Sequence, residues 1–278
     1  MEINLSETII VSKRKSLKNK TYQTGVALSG GGIKGLCHAG ALKALNEYGI
    51  KPDIISGVSA GAIVGALYAD GYTPDEIGEI FYDVTFSRFA KIQFPVDGLF
   101  QMDLFKTFLH EKIRAETFEE LSIPLRIVAT DLDHGKTKVF EKGNLIDPII
   151  ASSSLPILFK PIVIHGINYV DGGVLKNFPV GTIYPDCQYI IGINASPFVA
   201  KEYNKSLRGI IGRTYHFMSK ANILQDKALC DILIEPENMA SYETFDVEKS
   251  REIFKLGYES TKEILSHSNL ETFKTIDN

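Results

Sequence analysis

The chain has 278 residues, 44% hydrophobic and 23% charged, with a formal net charge of −4. This composition supplies a sizeable core, excludes a disordered chain, and gives no electrostatic basis for a nucleic-acid partner. Three scattered cysteines, Cys37, Cys187 and Cys230, form no CxxC pair, so they point to neither a disulfide framework nor a zinc site.

No apolar run is long enough to span a membrane, and the N-terminus lacks a signal-peptide layout, so the expected location is cytoplasmic. Residues 1–22 read as a flexible arm. Its basic cluster of Lys13, Arg14, Lys15, Lys18 and Lys20 is either a solvated run or a handle for transient contact with an anionic membrane surface. Residues 23–267 read as one catalytic-sized domain, and residues 268–278 as a polar tail. Within the domain, Thr24–Ser29 is an apolar strand, followed by the run Gly30-Gly31-Gly32-Ile33-Lys34-Gly35. A helix follows, with Leu36, Ala39, Leu42 and Leu45 at helical spacing and Gly49 to end it. Asp53–Ser56 is a second strand and Ala60 to about Asp70 a second helix, rich in small residues. Thr73, Pro74 and Glu76 form a capping box for a third helix. Residues 81–108 are dense in phenylalanine, which reads as core or as a lip over an apolar pocket.

Leu125–Asp131 is a further buried strand, with Thr137–Phe140 as its hairpin partner. Asn144–Ser152 is a helix, and Pro161–Ile164 with Asn168–Val170 is a second hairpin, which delivers Asp171-Gly172-Gly173 at its end. Tyr189–Asn194 and Ile232–Glu235 are short strands among long helical patterns at 206–229 and 246–266. Strands alternating with helices predict βαβ units and a mostly parallel sheet.

The chemistry starts at Gly57-Val58-Ser59-Ala60-Gly61, a G-x-S-x-G pattern. It sets a serine on a sharp strand-to-helix turn whose small flanking residues let the backbone bend, which makes Ser59 a candidate nucleophile. The Gly30–Gly35 run matches G-x-G-x-x-G, the nucleotide-cradle pattern. However, the acid that should close the next strand is missing: Asp53 precedes that strand. A Walker loop fails because Gly35 follows Lys34. Freely oriented glycine amides at a helix N-terminus also suit the oxyanion of an acyl-transfer intermediate, and a tight structural turn is the third reading. A histidine base is hard to place. His216 and His267 sit in helical patterns, and His38 reads as structural. Asp131 and Asp133 flank a turn, so they read as hairpin residues and not as metal ligands. Asp171, at a strand end with two glycines after it, is better presented.

Taken together and in order, Gly30-Gly31-Gly32-x-Lys34-Gly35, Gly57-x-Ser59-x-Gly61 and Asp171-Gly172-Gly173 resemble the motifs of the patatin-like phospholipase family. Ala129-Thr130-Asp131-Leu132, the stretch from Ala151 to Pro156, and Asn177-Phe178-Pro179 add to the likeness, which runs from about Thr24 to about Asn194. Two departures are mild: Lys34 stands where many relatives carry Arg, and Gly173 where others have Ala. The resemblance implies a three-layer α/β/α sandwich with a mostly parallel central sheet. It implies a Ser–Asp dyad with Ser59 as nucleophile and Asp171 as general base, and an oxyanion hole from Gly30, Gly31 and Gly32. Lys34, Gly35, Gly57, Gly61, Gly172 and Gly173 would support these motifs. The substrate implied is a lipid ester, phospholipid or lysophospholipid, with no metal or organic cofactor. A free aspartate, with a pKa of about 3.9, is a poor base in water, so such a site must keep Asp171 dry or move the proton only as the serine attacks. The competing readings are a soluble esterase for short acyl chains, a nucleotide-binding module on Gly30–Gly35, and a non-catalytic lipid-surface binder.

Overall fold

The computed structural model describes residues 20–82, 102–197, 205, 210, 213, 214, 217–219, 223–244 and 246–268. The basic cluster up to Lys18, most of the phenylalanine-rich stretch, His216 with most of the helical pattern at 206–222, and the tail beyond 268 lie outside the described residues.

Among the described residues, eight strands form one sheet: β1 Tyr22–Leu28, β2 Ile54–Val58, β3 Leu125–Asp131, β4 Lys136–Phe140, β5 Ile162–Ile164, β6 Ile167–Asp171, β7 Cys187–Ile193 and β8 Ile232–Ile234. Their order is β5-β6-β3-β2-β1-β7-β8, with β4 pairing with β3 off this path. The β3-β2-β1-β7-β8 block is parallel throughout, while β4, β5 and β6 join through antiparallel pairs. The central strands are buried on both faces, as a parallel sheet requires, and so lack the polar–apolar alternation of a half-exposed strand.

Alternation of side chains about the sheet separates two cores. Val26, Leu28, Ile55, Ile191 and Ile193 join the larger one, whereas Ala27, Ile54 and Ile190 join a second on the opposite face. The larger core is covered by α1 Leu36–Glu47, α2 Ala60–Ala69, α3 Pro74–Tyr82, α4 Asp103–Lys112, α5 Ile146–Ser153 and the long α7 Ser250–Ser266. Among the described residues, the other face is covered by a 3-10 turn at Pro179–Thr182 and the short α6 Ile223–Lys227. The architecture is the expected α/β/α sandwich.

The local expectations hold with informative shifts. β1 begins at Tyr22, inside the stretch read as an arm, because Tyr22 pairs with Cys187 and its N–H donates to the Asp186 carbonyl. β2 runs on to Val58, since Ser56, Gly57 and Val58 pair with Arg126, Ile127 and Val128. The first two residues of the G-x-S-x-G pattern, Gly57 and Val58, are therefore strand. The Thr73 box closes as drawn, with the Thr73 N–H donating to Glu76 Oε2 at 2.8 Å. The expected helix at 246 starts as a 3-10 turn and becomes α-helical at Ser250. α7 packs on α1 backbone to backbone. A Cβ on Gly40 would strike the Phe254 carbonyl oxygen, and one on Gly257 would lie 2.8 Å from Cys37 Cα. The three cysteines are buried and none is in a disulfide. Burial pushes the Cys37 thiol up to about 12, so it is inert.

Candidate active site

β3 offers one edge to two different strands, and that fact builds the site. β4 covers the other edge from Ile127 to Asp131. On the free edge, β2 runs parallel to β3 and ends at Val58, opposite Val128. β6 runs the opposite way along the same edge and ends at Asp171, opposite Ala129. Two strand ends thus meet nose to nose, and the residues at the meeting point are Ser59 and Asp171. A Cβ on Gly172 would lie 2.6 Å from Val58 Cγ2, which shows how closely the two ends approach and why the residue after Asp171 carries no side chain.

Ser59 sits at the tip of the turn with φ 53° and ψ −123°, a positive-φ conformation that residues other than glycine avoid. Its carbonyl accepts from the Ala62 and Ile63 amides and so starts α2. The turn is tight enough to exclude methyl groups. A Cβ on Gly57 would lie 2.6 Å from the Gly61 carbonyl carbon, and one on Gly61 would strike the Leu28 carbonyl oxygen. Gly35 faces Ala60 in the same way, at 2.6 Å, which locks the glycine loop against the start of α2.

Asp171 is fully buried. Its amide donates to the Ser154 carbonyl at 2.8 Å, its carbonyl accepts from Thr130 Oγ1 at 3.0 Å, and its Oδ1 accepts from the Gly173 amide at 2.7 Å. The second glycine of the motif therefore orients the carboxylate by its backbone.

The glycine loop leaves β1 directly beside the serine. A Cβ on Gly30 would lie 3.3 Å from Ser59 Cβ. One of the three expected donors drops out: the Gly30 amide donates to the Asn177 carbonyl at 3.1 Å. Gly31 and Gly32 are partly exposed, and their amides meet no acceptor among the described residues. Gly32 has φ +61°, and a Cβ there would strike the Thr244 carbonyl oxygen. Lys34 is buried at the base of the loop.

Several residues that brace this loop were not singled out from sequence. Ser29 Oγ accepts from the Ala195 amide at 2.9 Å, Ser196 Oγ donates to the Gly30 carbonyl at 2.9 Å, and the Ile33 amide donates to the Thr244 carbonyl at 3.0 Å. His38, fully buried on α1, holds the Ser29 carbonyl through Nε2 at 2.8 Å. Because a carbonyl only accepts, Nε2 carries the proton. Burial lowers the His38 pKa to about 4, with the Ser29 bond pulling weakly the other way, so the ring is a neutral structural donor. His267 is exposed at the end of α7.

Asp53 lies at the far end of the sheet, where its Oδ2 accepts from the Thr24 amide at 2.7 Å. It is a strand length from the glycine loop and has no access to a ribose held there. Asp131 accepts from the His134 ring at 2.9 Å, and Asp133 from the Asn168 amide at 2.9 Å, so both are committed to their turn. Among the described residues no cluster of three His, Cys, Asp or Glu side chains could hold a metal ion. Among the same residues no helix is long and apolar enough to cross a membrane.

Comparison with known proteins gives a consistent result. The profile of the family described as patatin-like phospholipase matches residues 26–184. Protein R571 of Acanthamoeba polyphaga mimivirus is 31% identical over 60% of this chain and 64% of its own length. YqhO of Bacillus subtilis is 30% identical over 72% of this chain and 81% of its own. Lysophospholipase NTE1 of Kluyveromyces lactis is 26% identical over 87% of this chain but only 19% of its own length. The chain spans less than two thirds of the viral protein and about half of the mycobacterial relatives it matches. Among solved structures, VipD from Legionella pneumophila shares the fold, with a TM-score of 0.61, 16% identity, and coverage of 92% of this chain and 72% of that one.

Proposed function

Given that this chain belongs to the patatin-like phospholipase family, we propose that it is a serine lipid acyl hydrolase working through a Ser59–Asp171 dyad. The observation that carries this reading is the shared edge of β3, where the end of β2 and the end of β6 bring the elbow and the aspartate to one point. The yeast relative named as a lysophospholipase supports phospholipids or lysophospholipids as the substrate class.

The mechanism follows from the parts. Ser59 Oγ attacks the ester carbonyl, and Asp171 accepts its proton as the C–O bond forms. Negative charge then develops on the former carbonyl oxygen. In this reading the amides of Gly31 and Gly32 receive it, together with the Ala60 amide, which as the first N–H of α2 has no intrahelical acceptor. Each such donor is worth about 3–4 kcal/mol in the transition state. Asp171 next gives its proton to the leaving alcohol. It then takes a proton from a water whose oxygen attacks the acyl-serine carbonyl, and returns that proton to Ser59 Oγ as the Oγ–acyl bond breaks and the fatty acid leaves. The complete burial of Asp171 supplies the dry surroundings this chemistry needs.

The test is fatty-acid release from lysophosphatidylcholine and phosphatidylcholine by wild type, Ser59→Ala and Asp171→Asn. Each variant should lose at least about a thousandfold in rate while keeping its fold. Activity surviving in either folded variant overturns the dyad. A fluorophosphonate probe should label Ser59 in the wild type alone.

A further inference from the structure

We propose that the C-terminal end of α5 is a positioning device that sets Ser59 against Asp171, with Ser152 as its positioning residue. This deepens the catalytic reading above and rests on it.

The two backbone amides that fix the dyad both end on this one segment. The Ser59 amide donates to Ser152 Oγ at 2.8 Å, and the Asp171 amide donates to the Ser154 carbonyl at 2.8 Å. Ser152 and Ser154 are fully buried, two residues apart, on a chain segment that is itself tied down. The Ser154 amide donates to the Ala151 carbonyl at 3.2 Å, and Ser154 Oγ donates to the Ile150 carbonyl at 2.8 Å. The spacing between the two anchor points is therefore set by rigid helix, and not by the loops that carry the anchored residues.

The chemistry at Ser152 leaves it no freedom. Its Oγ lies 2.6 Å from the Val128 carbonyl, which can only accept, so the hydroxyl proton is committed there. The oxygen must then face its remaining neighbour, the Ser59 amide, as an acceptor. Val128 is the last residue of β3 paired with β2, and Ala129 beside it is already paired with Asp171. The Ser59 amide thus falls at the gap between two strand ends, where the ladder offers it no carbonyl. Ser152 fills that gap and joins the elbow to β3, the strand against which β6 sets the aspartate. A positive-φ serine needs such a restraint, since its backbone relaxes when a bond on either side is lost.

The experiment compares wild type, Ser152→Ala, the steric pair Ser152→Thr and Ser152→Val, and Ser153→Ala. Ser153 Oγ is buried without a partner among the described residues, so its removal controls for loss of a hydroxyl from the same helix turn. Two readouts are taken: kcat and KM on lysophosphatidylcholine, and amide hydrogen exchange of the peptide covering residues 54–64. The expected result is that Ser152→Ala and Ser152→Val lose about 100-fold in kcat with KM within threefold, the size of effect that follows a misplacement of about 1 Å. Ser152→Thr should recover at least a tenth of wild-type kcat, and Ser153→Ala should match wild type. Exchange should quicken in residues 54–64 of the Ala and Val variants, with the rest of the sheet still protected. The proposal is overturned if the Val variant equals the Thr variant in both readouts, or if exchange quickens evenly across the sheet, which marks a general structural role. If the wild type releases no fatty acid, the catalytic reading fails by itself, and the exchange data still decide whether Ser152 holds the elbow.

Discussion

His38 gives the most direct quantitative prediction. The ring is fully buried and neutral, and its pKa falls from 6.5 to about 4 because no water solvates its charged form. Above pH 6.5 neither the folded nor the unfolded state protonates it, and it contributes nothing to pH dependence. Between pH 6.5 and 4 the unfolded chain takes up a proton that the folded protein refuses, so stability falls as pH falls. At about 1.4 kcal/mol per pKa unit, the loss reaches about 3 kcal/mol by pH 4. His38→Gln tests this cleanly, since a glutamine amide can still donate to the Ser29 carbonyl but cannot titrate. Urea unfolding of both proteins from pH 7.5 to 4 should give curves that diverge by about 3 kcal/mol, with wild type the more acid-sensitive. Carboxylate contributions are common to both proteins and cancel in the difference. Parallel curves, within 0.5 kcal/mol across the range, would refute the idea of a buried neutral imidazole behind the glycine loop.

Two further outcomes follow from close backbone contacts. Gly32→Ala places a methyl against the Thr244 carbonyl and forces a left-handed alanine, so the loop must shift. Its kcat should drop by about 10²–10³-fold with little change in KM, measured on a lysophospholipid; an unaltered kcat would show that the loop does not stabilise the oxyanion. Gly257→Ala drives a methyl into the Cys37 backbone of α1, an overpacking cost of about 1–3 kcal/mol. The melting temperature should fall by about 3–10 °C, and an unchanged value would mean that the helices separate freely.

The parts of this protein that were legible in its sequence are those with a local physical signature. The Thr73–Glu76 box, the buried run from Leu125 to Asp131 and the left-handed glycine at Gly49 each announce themselves within a few residues. The glycine loop, Ser59 and Asp171 were legible as a set because their backbone demands fix residue types at short spacing. What stayed hidden depends on tertiary register. Nothing in Gly30 itself says that its amide is spent on Asn177, 147 positions away, while those of its two neighbours are not. Ser29, Ser196 and Thr244 act through one hydroxyl or one carbonyl, and a serine or threonine near a strand end has many duller uses. Ser152 stood within a stretch noted for its familiarity, but its task appears only when β2 and β6 are seen to share an edge of β3.

The braces on the glycine loop have a consequence for how the protein is made. Ser59 leaves the ribosome early, whereas Ala195, Ser196 and Thr244 follow long after, and α7, which seats α1 from behind, comes later still. At about 5–20 residues per second, roughly 10 to 40 s of translation separate the serine from Thr244. A nascent chain throughout that interval carries Ser59 beside an unbraced loop. The glycine loop beside Ser59 is thus held in its folded position only after Ala195, Ser196 and Thr244 have been made.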